Sequence, residues 1–221
     1  MNDLNVNFFD ACSMHSITEL FALSEICYSF APERIVEYGY AYCGLTRLFG
    51  RWAALYDAKV LGIDDHTYTN IRNGWDRSFA LMKQLPVELL DANEYKQPTY
   101  NRVQEFSRDH RTLFYCDGGN KPLELRWCAQ ILKPEDLLMC HDFDMDLTKG
   151  VTSLSGIMLE MAQVTTEQAE AVIEQFNLER VFEDKLGNDE ATGLRRTRLL
   201  ALRLKEQVNG SDSVCNSARD L

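Results

Sequence analysis

The chain has 221 residues, 45% of them apolar and 26% charged, with a formal net charge of −11. That length supports one domain with a full core, and the apolar share is that of a water-soluble globular protein. The acidic balance argues against nucleic acid, whose phosphates call for Lys and Arg, and against docking on an anionic membrane.

Met1-Asn2-Asp3-Leu4 has neither a basic region nor an apolar core, so no signal peptide is expected. No apolar run is long enough to span a bilayer. The seven cysteines are odd in number, widely spread and without a C-x-x-C pair. Cys27, Cys116, Cys128 and Cys140 lie in apolar runs, which suits buried reduced thiols and a cytoplasmic location rather than a zinc site.

Residues 1–30 read as an N-terminal helical segment, with a helix over 16–29 that Ser16 caps and Glu19 closes as a capping box. After Pro32, Ile35-Val36 reads as strand one. A helix over 45–56 places Leu45, Leu48, Trp52 and Leu55 on one face. Strand two is 59–63, a looser helical stretch covers 70–84, and strand three is 87–90. A helix over 99–108 leads to strand four, 112–116. Pro122 suits the first turn of a helix over 122–132. Strand five is 137–140. Thr165 and Gln168 box the start of a helix over 165–176. Val181-Phe182 and a stretch near 193–204 suggest a final antiparallel hairpin, although Leu199, Leu200 and Leu204 also fit a helical period. Residues 1–208 thus form a single domain, and 209–221 read as a disordered tail.

Strands alternating with helices define a Rossmann-like α/β fold, a doubly wound and mostly parallel sheet. Each of the five strands ends in an acid: Glu37, Asp64, Asp91, Asp117 and Asp142. Acids at such places often cap the following helix. Five together, at the carboxyl ends where α/β sheets bind ligands, point to a site.

The segment Glu37-Tyr38-Gly39-Tyr40-Ala41-Tyr42-Cys43-Gly44 carries an acid and two glycines between a strand and a helix. Glycines let backbone approach a ligand, and the acid takes hydroxyls or an ammonium. Asp64 ends the next strand, where a ribose hydroxyl pair would be bound. A nucleoside cofactor is therefore expected. Gly39-x-Ala41-x-x-Gly44 is near the dinucleotide pattern, but Tyr40 and Tyr42 are bulky and Glu37 would repel a pyrophosphate.

Residues 33–145 resemble the class I S-adenosylmethionine-dependent methyltransferases. The resemblance rests on Val36-Glu37-Tyr38-Gly39 through Gly44-Leu45-Thr46, on Gly62-Ile63-Asp64 and on Leu90-Asp91-Ala92. It is carried furthest by Leu113-Phe114-Tyr115-Cys116-Asp117-Gly118-Gly119-Asn120, with Ile131-Leu132-Lys133-Pro134-Glu135-Asp136 and Met139-Cys140-His141-Asp142. These are similar to small-molecule O-methyltransferases of the macrocin, cephalosporin-hydroxylase-like and catechol groups.

The resemblance implies that Glu37, Gly39, Tyr40, Ala41 and Gly44 cradle the methionine part of the cofactor. By the same carry-over, Asp64 takes the ribose, Asp91 and Ala92 edge the adenine, and Asp117 lies near the sulfonium and the substrate. In the metal-dependent branch the counterparts of Asp117, His141 and Asp142 hold a divalent ion. Oxygen ligands suit magnesium, and a histidine shifts the preference toward manganese. The alternative is that Asp142 orients His141 as a base without metal.

Lys121 falls one position late for that branch's catalytic lysine, and a solvated helix-start lysine is the plainer reading. Three departures stand out: a glycine loop one residue longer than usual, Asn120 where the family has His, and Glu135-Asp136 where it has Gly-Gly. The expected function is O-methylation of a small molecule, with Asp117, His141 and Lys121 as the catalytic candidates. The rivals are an NAD(P)-dependent oxidoreductase and a non-catalytic partner subunit. Neither the acceptor nor a homodimeric state is legible, and His15 and His110 show no partner in the sequence.

Overall fold

The structure, a computed structural model, describes residues 6–8, 11–13, 15–65, 82–93, 95–143, 163–186 and 197–206. Two short strands, β1 (Val6–Phe8) and β2 (Ala11–Ser13), pair antiparallel ahead of helix α1 (Ile17–Phe30). The N-terminal segment is therefore helical only from Ile17 onward. The elements that follow are β3 (Arg34–Tyr38), α2 (Gly44–Tyr56), β4 (Lys59–Asp64), β5 (Val87–Asp91), α3 (Gln97–Ser107), β6 (Thr112–Cys116) and α4 (Lys121–Ile131). The chain then forms β7 (Leu137–Cys140), α5 (Thr166–Phe176), β8 (Leu178–Arg180), α6 (Glu183–Leu186) and β9 (Leu200–Leu204).

The main sheet has the order β5-β4-β3-β6-β7-β9-β8. Its first five strands are parallel, and β9 runs antiparallel to both neighbours. The doubly wound sheet with a terminal hairpin is thus borne out. The hairpin itself is set by Leu178–Arg180 and Leu200–Leu204 rather than by Val181-Phe182, and the ambiguous last stretch is a strand.

The central strands read as unbroken apolar runs because both of their faces are covered. Along β6, Leu113 and Tyr115 face one side while Phe114 and Cys116 face the other. Helices α1 and α2 cover the first side with Leu23, Ile26, Phe49 and Ala53. Helices α3, α4 and α5 cover the second with Val103, Leu125, Cys128 and Val172. Truncating Phe49 or Phe114 to Ala would cost about 3–5 kcal/mol.

On α2 the buried line is Leu45, Phe49 and Ala53, whereas Leu55 is 79% exposed. Of the expected face only Leu45 is on that line, and Leu48, Trp52 and Leu55 instead border a shallow apolar groove shared with Leu23 and Cys27 of α1. A helix lying between a neighbouring helix and the sheet is apolar over a wide arc, so spacing alone leaves its inner line ambiguous by one residue.

Both predicted capping boxes form, Ser16 with Glu19 and Thr165 with Gln168. The helical stretch expected over 70–84 lies largely outside the described residues, as do Trp75, His66 and Tyr68, most of 143–164, and the 209–221 tail. Among the described residues no helix is long and apolar enough to cross a membrane.

Candidate functional site

Chain direction across the sheet reverses between β3 and β6, so their carboxyl ends open a crevice. Four backbone hydrogen bonds extend the strand tips there. Gly39 N–H donates to Ile63 O (2.8 Å), Ala92 N–H to Asp64 O (3.1 Å), Asp117 N–H to Tyr38 O (3.1 Å) and His141 N–H to Cys116 O (3.0 Å). The acids predicted at the strand ends are thereby held in one row.

Gly39 is required at its position. Its φ is +80°, and a Cβ there would meet the Asp117 carbonyl oxygen at 2.3 Å. The loop beyond it is tightly wound, with Ala41 (φ 40°) and Cys43 (φ 60°) also left-handed. The Cys43 N–H closes a turn on Tyr40 O at 2.6 Å, and Gly44 opens α2. Asp64 steadies this loop, because its Oδ2 accepts from Ala41 N–H at 2.8 Å. Tyr40 is buried with Cys43 and Met82 and does not line an open face. Asp91 is exposed at the end of the edge strand, in register with Asp64, and Ala92 follows it half-buried.

Glu37 is the unusual group. It is 1% exposed, and among the described residues its Oε2 has no hydrogen-bond partner. Burial pushes its carboxyl up to about 8. The Thr46 hydroxyl works against that rise, while the Asp117 and Asp64 charges add to it. A buried carboxyl with an orphaned oxygen is costly unless something donates to it.

Beyond Glu37 the site becomes a layered ionic cluster. His141 Nδ1 donates to Asp117 Oδ1 at 3.0 Å and lies 3.5 Å from Asp142 Oδ2. Lys121, placed by the start of α4, bridges Asp117 Oδ1 (3.3 Å) and Asp142 Oδ2 (3.1 Å). It is 5% exposed, so the reading of a solvated helix-start lysine does not hold. Burial opposes the charge on His141. The Asp117 and Asp142 carboxylates, with hydrogen bonds to Asp117 and Glu19, outweigh burial and raise its pKa to about 10. His141 and Lys121 in turn hold the Asp117 carboxyl well below the usual range despite its burial.

Sequence reasoning missed four members. His15 stacks on His141 with ring centroids 4.2 Å apart. Its Nε2 lies 2.7 Å from the Tyr115 hydroxyl and 3.5 Å from Asp117 Oδ2. Burial first, and then the His141 charge, lowers His15 to about 4, against the neighbouring carboxylates. Glu19 closes its capping box through Oε2 and turns Oε1 to the site. That oxygen accepts from Arg198 N–H (3.0 Å) and Nε (3.2 Å) and lies 3.5 Å from His141 Nε2. Arg198, on the segment leading into β9, also approaches Asp142 Oδ1 at 3.4 Å. Only the capping signal of Glu19 was readable from sequence. The rest are contacts between distant segments.

Two family departures have structural roles. Asn120 caps α4, its Oδ1 accepting from Leu123 N–H at 3.2 Å. Glu124, one turn on, accepts from Gly118 N–H, Asn120 N–H and the Tyr95 hydroxyl, which fixes the turn that carries Asp117. Asp136 is a buried staple between strands, accepting from Thr112 N–H (2.8 Å) and Lys133 N–H (3.0 Å).

Comparison with solved structures agrees with this architecture. The chain superposes on apo CmcI with a TM-score of 0.56 at 14% identity, covering 88% of this chain and 74% of that one. A CmcI structure with Mg and SAM matches to the same extent. A Staphylococcus aureus protein provisionally named a caffeoyl-CoA O-methyltransferase gives 0.57 at 12% identity over 85% and 84%. SAH-bound methyltransferase PaMTH1 of Podospora anserina gives 0.50 at 12% over 86% and 78%. No protein-family model and no curated protein matches the chain. At such identities the likeness establishes the fold, which is that of the class I S-adenosylmethionine-dependent methyltransferases.

Proposed function

We propose that this chain is an S-adenosylmethionine-dependent methyltransferase acting on a small molecule, at an oxygen. The observation that carries the reading is Glu37, a buried carboxyl with an orphaned oxygen beside Gly39 at the switch point of the sheet. An acceptor so placed fits a ligand that brings an ammonium or hydroxyl donor, and S-adenosylmethionine brings both. When bound, that cofactor supplies an electrophilic sulfonium methyl.

The chain's own residues do the rest. Glu37 accepts from the amino group, and the Gly39–Gly44 loop holds the methionine portion. Asp64, already oriented by Ala41 N–H, takes the ribose hydroxyls, with Asp91 and Ala92 beside the base. Asp117 and Asp142 are the carboxylates of the cluster that reach solvent, at 13% and 21%, while Lys121, His15 and His141 lie beneath. A substrate hydroxyl donating to either carboxylate is aligned for displacement. His141 and Lys121 keep the Asp117 carboxylate ionised. His15, neutral at physiological pH, lies 3.5 Å from Asp117.

A divalent ion fits this cluster less well. Asp117 and Asp142 are already bridged by the Lys121 ammonium, which occupies the space between them. No step in this reading runs through a metal. Calorimetric titration with S-adenosylmethionine and S-adenosylhomocysteine, with NAD(H) in parallel, tests the proposal. Micromolar binding of the first two supports it. Binding of NAD(H) alone favours an oxidoreductase, and binding of neither favours a non-catalytic subunit.

A further inference from the structure

The geometry points to Lys121 as a built-in replacement for a divalent cation, so that the Asp117–Asp142 pair works as a metal-free charge clamp. This deepens the methyl-transfer reading and rests on it for its purpose, though not for its test.

Three oxygens surround the Lys121 Nζ: Asp142 Oδ2 at 3.1 Å, Asp117 Oδ1 at 3.3 Å and Gly118 O at 3.4 Å. Two carboxylates and a backbone carbonyl are the donors a hard cation selects. An ammonium has three hydrogens to give, and here each has an acceptor. The separations are hydrogen-bond lengths rather than the roughly 2.0–2.6 Å of Mg²⁺ or Ca²⁺ to oxygen. The oxygens are therefore spread around nitrogen.

Charge matching leads to the same conclusion. Asp117 is met by Lys121 and His141, Asp142 by Lys121 and Arg198, and Glu19 by His141 and Arg198. Lys121 and Arg198 thus each bridge two of the three carboxylates, and Glu124, the next acid along α4, is occupied by two backbone amides and a tyrosine hydroxyl. An added dication would have to displace the ammonium from a pocket where Lys121 is buried. The lysine stem, entering from the first residue of α4, holds the charge in place without depending on metal supply.

The test is Mn²⁺ uptake, read as loss of the free-ion electron paramagnetic resonance signal, on the wild-type chain and on Lys121→Met. The wild type should leave the signal unchanged at equimolar ion. Lys121→Met should remove one ion per chain, and adding Asp142→Asn should restore the free signal. Lys121→Arg, which keeps a cation, should resemble the wild type. If the Met variant does not fold, Lys121→Gln is measured in its place. Stoichiometric uptake by the wild type that Asp142→Asn abolishes would overturn the inference, as would a folded Lys121→Met or Lys121→Gln chain that takes up no ion. Cofactor is absent throughout, so failure here is separable from failure of the methyltransferase reading, which the cofactor titration decides.

Discussion

The rings of His15 and His141 stack 4.2 Å apart, yet their surroundings drive them in opposite directions, His15 down to about 4 and His141 up to about 10. Two imidazoles in van der Waals contact cannot both carry charge cheaply. The carboxylates settle the proton on His141, which contacts Asp117, Asp142 and Glu19.

The first prediction concerns pH. Between the ordinary histidine value of 6.5 and about 10, the folded chain keeps a proton on His141 that the unfolded chain has lost. The stability from His141 is therefore complete below 6.5 and disappears as pH rises through 10. His15 acts in reverse, since between 4 and 6.5 the unfolded chain binds the extra proton and stability falls as pH drops. Urea melts across pH should show His141→Gln flattening the alkaline limb and His15→Gln the acidic one. Imidazole ¹⁵N shifts at pH 7 should show one charged and one neutral ring; two neutral rings would refute the assignment.

Glu37 predicts a proton released on binding. Its carboxyl is pushed up to about 8, so at pH 7 it is largely protonated, and an incoming ammonium must ionise it. Calorimetric enthalpies for S-adenosylmethionine at pH 7 should then vary with the ionisation heat of the buffer. Glu37→Gln should abolish that variation and weaken binding about 10–100-fold, the loss of a charge-assisted hydrogen bond. The same variant should be no less stable at pH 8, because it removes a buried acid that ionises there.

Gly39→Ala should be among the most damaging single-methyl changes in the chain. The left-handed backbone costs roughly 1–2 kcal/mol for an L side chain, and the new Cβ would overlap the Asp117 carbonyl. A loss of at least ~2 kcal/mol in urea denaturation is expected, together with loss of cofactor binding. An alanine variant with wild-type stability would mean the β3 and β6 tips are not in contact.

Glu19 separates capping from site electrostatics. Ser16→Ala removes the cap alone and should cost about 1 kcal/mol with little change in activity. Glu19→Gln leaves His141 and Arg198 short of a counter-charge and should cost about 3–5 kcal/mol. It should also lower the apparent pKa of His141, which imidazole NMR reads directly. Equal effects of the two variants would reduce Glu19 to a helix cap.

The sheet was legible because its strands are short apolar runs bounded by acids and turns, and each acid stands within two residues of a strand end. Period, however, could not choose between Leu55 and Phe49 on α2, since that helix packs on both the sheet and α1. The row Glu37, Asp64, Asp117 and Asp142 could be read from order along the chain. His15, Tyr115 and Arg198 could not, because they join the site through contacts spanning 100 residues or more, such as His15 to Tyr115 and Glu19 to Arg198. Lys121 was visible, but its burial was not. A lysine at a helix start looks the same whether it meets water or two carboxylates.

Glu19 and Arg198 stand 179 positions apart, one on the first helix and the other just before the last strand. During synthesis the acid leaves the ribosome long before the arginine that completes it. Until β9 inserts between β7 and β8, His141 and Glu19 lack their third partner and the two sides of the pocket are not joined. The ionic cluster is therefore complete only once β9 has paired, and a chain that stops before it has β3, β4 and β6 without the arginine that ties Glu19 to Asp142.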